Sequence, residues 1–312
     1  MHKIKTYILT GFLGAGKTTI LNHLLQQVEN QKNLIVENEY GKVNIDSGLV
    51  EKKYDAIYEL TNGCICCTYD EGFFDLLNDI VQNKREAENL FIETTGVADV
   101  SPIISLFNRE DVKKQFELVN TICVCDAETV EDYLAEIPEV EGQIAHADII
   151  VINKIEHVHP EYLKKLQQVL LQLNPFTKVL HTTDGRLDWA SIQEKEHKIN
   201  IPHKHIHTHS SHQIQSLLYE TNSPIDVMKL RFVLQTTLML YYKQIIRIKG
   251  YFIGNDNKEY LLQTAGKSLN IQKANQPIIS QTQLVFLVKD VEKKSIERIM
   301  NQVIINHKTI NA

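Results

Sequence analysis

The sequence KTYILTGFLGAGKT, residues 5–18, joins a short apolar run to a glycine-rich turn that ends in lysine and threonine. Its end, GFLGAGKT, matches the phosphate-loop pattern G-x-x-x-x-G-K-[ST]. The match follows a predicted strand and opens a predicted helix, which is the context that phosphate binding requires. Glycines allow backbone N–H groups to surround phosphates, and the helix N-terminus adds the positive end of its dipole. We therefore predict a nucleoside triphosphate site rather than a strand–helix turn without a ligand.

The residues of this loop have separate expected roles. Lys17 is expected to reach the β- and γ-phosphates, and the hydroxyl of Thr18 is expected to bind Mg²⁺. The other predicted phosphate contacts are Gly11, Gly14, Ala15, Gly16 and Thr19.

A second part of the same site is predicted at LFIETTG, residues 90–96, where an apolar run ends in a carboxylate. Glu93 is suited to hold the water shell of Mg²⁺ or to orient the attacking water, so Lys17 and Glu93 are the predicted catalytic residues. The amide of Gly96 is expected to sense the γ-phosphate, as switch glycines do in other nucleotide hydrolases.

The choice of base is predicted from IIVINKIE, residues 149–156, which resembles the guanine-reading pattern N-K-x-D. Asn153, Lys154 and Glu156 occupy its three defined positions. A carboxylate accepts hydrogen bonds from guanine N1–H and the exocyclic amine, and glutamate offers the same two oxygens on a longer arm. Adenine presents the wrong pattern, so GTP is the predicted nucleotide. The alternative is an ordinary turn at the end of a strand.

The wider sequence alternates apolar runs with helical patterns, which predicts a doubly wound, mostly parallel α/β domain of the P-loop NTPase type over residues 1–195. Strands are predicted at 5–10, 33–38, 56–60, 89–94, 120–126, 147–153 and 177–182, and helices at 18–29, 71–83 and 160–173. A His-rich linker is predicted at 196–212, followed by a smaller C-terminal α+β domain over 213–312. Its expected order, which suggests a ferredoxin-like arrangement, is a strand at 213–220, a helix at 224–242, strands at 244–253, 259–264, 268–273 and 283–289, and a helix at 291–303.

Composition narrows the class of protein further. The 312 residues are 43% hydrophobic and 23% charged, with a net charge of −6, so a basic surface for nucleic acid is not expected. The N-terminus lacks the features of a signal peptide, and no apolar stretch approaches the length of a membrane span. We therefore expect a cytoplasmic protein with no membrane partner, in which clustered cysteines serve metal or redox chemistry.

Three of the five cysteines lie in LTNGCICCTYD, residues 60–70, as Cys64, Cys66 and Cys67. Three thiolates can converge on one soft cation, and Zn²⁺ or Cu(I) fits them better than Mg²⁺, with Co²⁺ also open. Water, a histidine, a carboxylate or a partner's side chain would complete the shell. The alternative is a redox pair at C-x-x-C spacing. Cys123 and Cys125, in the apolar run TICVCD, are instead expected to be small buried hydrophobic residues.

Acids and histidines supply further candidate ligands. Glu37, Glu39 and Asp46 are candidates for Mg²⁺ or for the missing place beside the cysteines, and the alternative is that they are solvated loop acids. Five histidines lie close together, at positions His203, His205, His207, His209 and His212. In an extended segment such spacing suits Zn²⁺, Ni²⁺ or Co²⁺, which favours a metal-collecting role over a polar His-rich linker.

Taken in order, GFLGAGKTT, ENEYGKVNID, TNGCICC, IETTGVAD and INKIE closely resemble the CobW family of metal-handling GTPases. The resemblance implies a slow Mg²⁺-dependent GTPase that binds a transition metal, most often Zn²⁺, through C-x-C-C and delivers it to a client metalloprotein. Cobalt or iron is the cargo in some branches, and a nucleotide- or metal-dependent homodimer is also expected. A non-catalytic zinc store or sensor is the alternative, and a small-molecule kinase is a weaker one. The sequence departs from the family at Glu156, where aspartate is usual, and at Lys42, where many members carry an acid.

Overall fold

The computed structural model describes residues 3–37, 56–59, 71–84, 86–193, 214–274 and 281–305. The chain divides into two compact units. The first comprises Met1–Leu171 and Phe176–Lys198, and the second comprises Ile199–Ala312 together with Gln172–Pro175. The predicted linker and the predicted domain limits at 195 and 213 lie outside the described residues.

The first unit is built on one sheet. Its strands are β1 (Ile4–Thr10), β2 (Asn33–Glu37), β3 (Ala56–Glu59), β4 (Asn89–Glu93), β5 (Phe116–Asp126), β6 (Ile149–Asn153) and β7 (Lys178–Thr182). They lie in the order β3-β2-β4-β1-β5-β6-β7, and every neighbouring pair is parallel. The prediction of a doubly wound, mostly parallel sheet is confirmed.

Helices connect these strands. They are α1 (Lys17–Gln27), α2 (Glu71–Asn83), α3 (Ser101–Phe107), α4 (Val130–Glu136), α5 (Pro138–His146), α6 (Pro160–Leu173) and α7 (Ala190–Gln193), with 3₁₀ turns at Val112–Lys114 and Ile155–His157. In the part of the chain that the structure describes, no helix is long and apolar enough to cross a membrane.

The strands β1, β2, β4, β5 and β6 are buried on both faces of the sheet, which explains why they are nearly continuous apolar runs. On one face, Tyr7 and Phe91 pack against Leu24 of α1 and Trp189 beside α7. The side chains that alternate with them, such as Ile8, point to the opposite face and are also fully buried. The loops at the carboxyl edge of the sheet therefore start from strands that are packed on both faces.

The observed elements differ from the predicted ones in the middle of the unit. The helices named from the sequence do not include α3, α4 and α5, which the structure has between residues 101 and 146. These helices are short, and α4 and α5 are separated only by Ile137, because Pro138 begins the next helix instead of continuing the last one. Strand β5 begins at Phe116, earlier than predicted. The prediction started too late because the exposed Glu117 and the buried Asn120 interrupt the apolar pattern of the strand.

The second unit contains a separate antiparallel sheet. Its elements are β8 (Ile214–Thr221), α8 (Val227–Tyr241), β9 (Ile245–Ile253), β10 (Glu259–Ala265), β11 (Ser268–Lys273), β12 (Thr282–Lys289) and α9 (Lys293–Asn301). The strand order is β11-β10-β9-β12-β8. Strand β12 lies antiparallel between β8 and β9, so β8-α8-β9 is the split β–α–β unit that ferredoxin-like folds contain. The hairpin β10–β11 extends the sheet beyond that pattern, and the predicted α+β class is confirmed.

Candidate functional site

The phosphate loop lies at the point where the strand order reverses. From β1 the chain passes to β2 and β3 on one side of the sheet, and it later fills β5, β6 and β7 on the other side. Ligands of such sheets bind outside the carboxyl ends of the strands at this position. The loop runs directly from the end of β1 into α1.

Close backbone packing explains the first glycine of the loop. Gly11 has a φ of 134°, and a Cβ there would lie 2.1 Å from the carbonyl oxygen of Val124 in β5. Only glycine allows β5 to pack this close to the loop. The first turn of α1 carries no acidic residue and no side-chain cap, so its N–H groups remain available to an anion.

Lys17 is buried inside the loop that precedes it. Its Nζ donates hydrogen bonds to the carbonyl oxygens of Gly11, at 3.0 Å, and Phe12, at 3.3 Å. Burial lowers the pKa of Lys17, whereas the nearby carboxylate of Glu93 acts in the opposite direction. To bind a phosphate, the ammonium group can use its third N–H or exchange these carbonyl oxygens for phosphate oxygens.

The two residues predicted to manage Mg²⁺ are in contact. The Thr18 hydroxyl donates a hydrogen bond of 2.7 Å to Oε1 of Glu93, across the gap between α1 and the end of β4. A hydroxyl and a carboxylate at this distance are the oxygen ligands that Mg²⁺ uses beside phosphates. These residues therefore fit the metal that the sequence predicts.

The loop after β4 is bonded to the end of β1 and touches the phosphate loop. The amide of Thr94 donates to the carbonyl oxygen of Leu9, and the amide of Ala98 donates to that of Thr95. A Cβ at Gly96 would lie 2.5 Å from the backbone nitrogen of Leu13. The predicted γ-phosphate sensor is therefore in backbone contact with the phosphate loop.

Gln143 of α5 holds the same loop from its other side. Its Nε2 donates to the carbonyl oxygens of Gly96 and Ala98, each at 3.1 Å, and the side chain is buried. Sequence reasoning missed this residue, because nothing in the pattern of α5 shows which element its side chain faces.

Asn153 binds two loops rather than an exposed surface. Its Nδ2 donates to the carbonyl oxygen of Ala15, at 2.9 Å, and its Oδ1 accepts from the amide of Gly185, at 3.2 Å. The side chain is 3% exposed. Asn153 therefore joins the phosphate loop to the turn that follows β7. Sequence reasoning also missed Gly185, although the residues TTDG after a predicted strand were a usable turn signal.

Lys154 and Glu156 lie beside this junction. Lys154 has a left-handed backbone, with φ 60°, and its Nζ forms a 2.7 Å ion pair with Asp126 at the end of β5. Glu156 is in a 3₁₀ turn, with His157 Nε2 at 3.5 Å from its carboxylate. Asp126 was missed as well, although, like Glu93, it is an acid that ends an apolar strand.

Cys123 and Cys125 are buried in β5, as the sequence predicts, and their sulfur atoms are 3.9 Å apart. The contact with Cys123, and then burial, raise the pKa of the Cys125 thiol well above its ordinary value. A thiol of this kind stays protonated, which disfavours metal binding. Cys64, Cys66 and Cys67 lie outside the described residues.

Only one of the remaining candidate ligands is described. Glu37 ends β2 and is in register with Glu93 of the neighbouring strand β4. Glu39, Asp46 and the histidines of the 203–212 run lie outside the described residues. Within the ranges that the structure describes, no three side chains of the metal-binding types form a group.

Comparisons with known proteins agree with this geometry. The CobW/HypB/UreG nucleotide-binding domain matches residues 5–181, and the cobalamin synthesis protein cobW C-terminal domain matches residues 214–304. The chain is 30% identical to the zinc chaperone YjiA of Escherichia coli (strain K12) over 262 residues, which cover 80% of this chain and 82% of YjiA. It is 27% identical to the zinc-regulated GTPase metalloprotein activator 1 of Schizosaccharomyces pombe over 346 residues, which cover 95% of this chain and 82% of that protein.

A solved structure shows the same fold. The crystal structure of Zn(II)-bound YjiA GTPase from E. coli has a TM-score of 0.76 at 24% identity, over 97% of this chain and 99% of that chain. The family match covers more than half of the chain, and it confirms the resemblance read from the motifs. The protein therefore belongs to the CobW/HypB/UreG family, with a nucleotide-binding domain of that family followed by a CobW C-terminal domain.

Proposed function

We propose that this protein binds and hydrolyses GTP and delivers a zinc ion to a client metalloprotein. The observation that carries the proposal is the 2.7 Å contact between Thr18 and Glu93 at the mouth of a complete phosphate loop. Zinc chaperones and a zinc-regulated GTPase are among the relatives, which supports both the nucleotide and the cargo.

Different residues are proposed to bind the phosphates and to hold Mg²⁺ and orient the attacking water. The backbone of the loop and the side chain of Lys17 bind the triphosphate, with contacts at Gly11, Gly14, Ala15, Gly16 and Thr19. Thr18 and Glu93 would hold Mg²⁺, which neutralises charge on the β- and γ-phosphates when it is bound. Glu93 also orients the attacking water, and the amide of Gly96 binds the γ-phosphate.

At the base, Glu156 and Lys154 favour guanine. Glu156 lies in a 3₁₀ turn three residues after Asn153, which is bonded to the phosphate loop. There its carboxylate can accept hydrogen bonds from the two guanine donors. Lys154 is held in place by Asp126 and can cover the face of the base. Asn153 acts indirectly, because both ends of its amide are already bonded to Ala15 and Gly185.

For the cargo, we assign zinc to Cys64, Cys66 and Cys67, whose three thiolates leave one position open for exchange. Glu37 is a candidate for that position, since it ends the strand beside Glu93, and Glu39 and Asp46 follow it in sequence. The histidines at 203, 205, 207 and 209 are assigned to collecting zinc. Cytoplasmic location is part of the proposal, because thiolates stay reduced there.

A nucleotide-dependent homodimer is also proposed. Leu13 in the phosphate loop and Val97 in the loop after β4 are 63% and 50% exposed. Val97 follows Gly96, whose backbone lies against that of Leu13. Large apolar side chains exposed together at a ligand site are typical of a surface that contacts a partner. A second copy of the chain would cover them when both copies have bound nucleotide.

The proposal is tested by separating turnover from zinc binding. Lys17→Ala should abolish GTP hydrolysis, whereas the double variant Cys66→Ser/Cys67→Ser should lose tight Zn²⁺ binding and keep GTP binding. Hydrolysis of GTP and of ATP is measured by phosphate release, and Zn²⁺ affinity by competition with a chelating dye. Cys125→Val is the matched control, because it removes a buried sulfur that the proposal does not use.

Two outcomes contradict the proposal. Native zinc affinity in the double variant would show that the C-x-C-C cysteines are not the cargo site. Zinc binding without any GTP turnover, with or without zinc, would favour a nucleotide-regulated zinc store or sensor.

A further inference from the structure

The loop after β4 is clamped between two elements, and only one of them belongs to the phosphate site. On one side it touches the backbone of Leu13 at Gly96. On the other side, Gln143 donates to the carbonyl oxygens of both Gly96 and Ala98 at 3.1 Å. The loop therefore cannot shift at Gly96 without changing its bonds to Gln143.

The way Gln143 is bonded indicates a role beyond packing. Both of its hydrogen bonds to the loop are made by one Nε2, so the donors of the amide face the segment that follows β4. Its Oε1 is buried and has no hydrogen-bond partner among the residues that the structure describes. A buried amide whose oxygen has no partner is costly to keep if it serves stability alone.

The peptide groups that Gln143 bonds are next to the peptide group that is proposed to bind the γ-phosphate. The carbonyl oxygen of Gly96 belongs to the peptide that follows the Gly96 amide, and that amide is the proposed γ-phosphate donor. Fixing one peptide plane limits the rotation of the next one, because they share the φ and ψ of Gly96. Glu93 lies three residues earlier, at the fixed end of β4.

We propose that Gln143 is a positioning residue for GTP hydrolysis: it fixes the Gly96–Ala98 segment so that the Gly96 amide meets the γ-phosphate and Glu93 meets the attacking water. In this role Gln143 acts through its bonds to Gly96 and Ala98 and not by contact with nucleotide or metal. The inference rests on the proposed GTPase function and adds the residue that positions the groups around the γ-phosphate. GDP lacks the γ-phosphate, so its binding does not depend on this segment.

The test compares Gln143→Met with the wild-type full-length chain. Methionine has a similar length and shape but no donor, so the loop loses both hydrogen bonds without gaining a buried charge. We expect kcat for GTP to fall about 10- to 100-fold, because small errors in position are costly to catalysis. Affinity for a non-hydrolysable GTP analogue should fall, whereas affinity for GDP should stay within about twofold of wild type, since the affected bonds act only at the γ-phosphate.

Val140→Ala is the matched control. Val140 lies on the same helix, is 3% exposed and lines the same small cavity as Gln143, beside Phe12 and Cys123. Its truncation should lower thermal stability and leave the ratio of GTP-analogue to GDP affinity unchanged. If Gln143→Met does not fold, Gln143→Asn replaces it, because its amide is one methylene too short to reach both carbonyl oxygens.

Three results would overturn the inference while leaving the proposed function intact. The first is a wild-type kcat in the Gln143 variant, and the second is an equal loss of affinity for GDP and for the GTP analogue. The third is that Val140→Ala changes the ratio of GTP-analogue to GDP affinity as much as the Gln143 variant does. Failure of the proposed function is distinguishable, because it would appear as absence of GTP turnover in the wild-type protein.

Discussion

At the scale of single residues, two tyrosines in the first unit show how the surroundings of a hydroxyl decide its effect. The hydroxyl of Tyr7 is buried in a ring cluster with Phe91 and Trp189 and has no hydrogen-bond partner among the described residues. The hydroxyl of Tyr162 in α6 instead donates a 2.6 Å hydrogen bond to Glu131. The same substitution should therefore have opposite effects at the two positions.

We predict that Tyr7→Phe leaves the free energy of unfolding unchanged or raises it by up to about 2 kcal/mol, because it removes an unsatisfied polar group. Tyr162→Phe should lower the free energy of unfolding by about 0.5–1.5 kcal/mol, through loss of the bond to Glu131. Denaturant unfolding of both variants measures this. A loss of more than about 1 kcal/mol in Tyr7→Phe would show that its hydroxyl is bonded.

Tyr7 also makes the stability of the protein sensitive to alkaline pH. Burial, and then the charge of Glu117, raise the pKa of Tyr7 from 10.0 to about 12. As pH rises above 10, the unfolded chain ionises first, so the stability contributed by the neutral phenol is present below pH 10 and is lost between pH 10 and 12. Tyr7→Phe should lose less stability across this window than the wild type.

At the scale of the element, α8 has an unusual distribution of apolar residues. Leu230, Leu234 and Leu238 pack into the core of the second unit against Ile248 and Phe286. Most of the large apolar side chains that are exposed in the described ranges also lie on this helix, namely Met228, Phe232, Met239, Leu240 and Tyr241. The helix is therefore apolar on both of its faces, and burial separates the residues that support the fold from those that do not.

A pair of nearby substitutions tests this separation. Leu234→Ala should lower the free energy of unfolding by about 2–5 kcal/mol, because Leu234 is 0% exposed and leaves a cavity. Phe232→Ser should change it by less than about 0.5 kcal/mol, since Phe232 is 72% exposed and the two residue types have similar helix propensities. Denaturant titration measures both, and a large loss in Phe232→Ser would contradict the assignment of the exposed face.

How far the sequence predicts each element depends on how local its signals are. The predicted range 160–173 agrees with α6, because Pro160 suits the first turn and leucines recur on one face. Helix α8 starts later than predicted, since Asp226 caps it by accepting from the amide of Lys229. Local patterns mark the phosphate loop, Glu93 and Asn153 in the sequence as candidate site residues. Gln143 is not marked, because its role depends on where α5 packs against the loop after β4, and no local pattern encodes that contact.

At the scale of the whole molecule, the strand order places the end of β2, which carries the candidate ligand Glu37, beside the end of β4, which carries Glu93. Strands β3, β2 and β4 are neighbours, and Glu37 of β2 is in register with Glu93 of β4. The cysteine motif follows β3 in the sequence and precedes α2. Nucleotide and zinc are therefore expected to influence each other through adjacent strand ends.

We predict that zinc affinity changes with the bound nucleotide by about 5- to 150-fold, the usual range of coupling between two sites. Zinc affinity is measured with GDP, with a non-hydrolysable GTP analogue and without nucleotide, and the affinity for the analogue should change by the same factor when zinc is present. Lys17→Ala should remove the differences, because it weakens the binding of the phosphates. Three equal zinc affinities would contradict the coupling.

The position of β4 also affects the order in which the protein can be assembled during synthesis. During synthesis the phosphate loop leaves the ribosome before β4 does, but β4 lies between β1 and β2 in the sheet, so neither of these strands has both of its neighbours until β4 has been made. Glu93 follows Thr18 by 75 residues, so the nascent chain has no complete triphosphate site until β4 is in place. Nucleotide stabilises only the folded form, and its stabilising effect is therefore confined to chains that have already built the centre of the sheet.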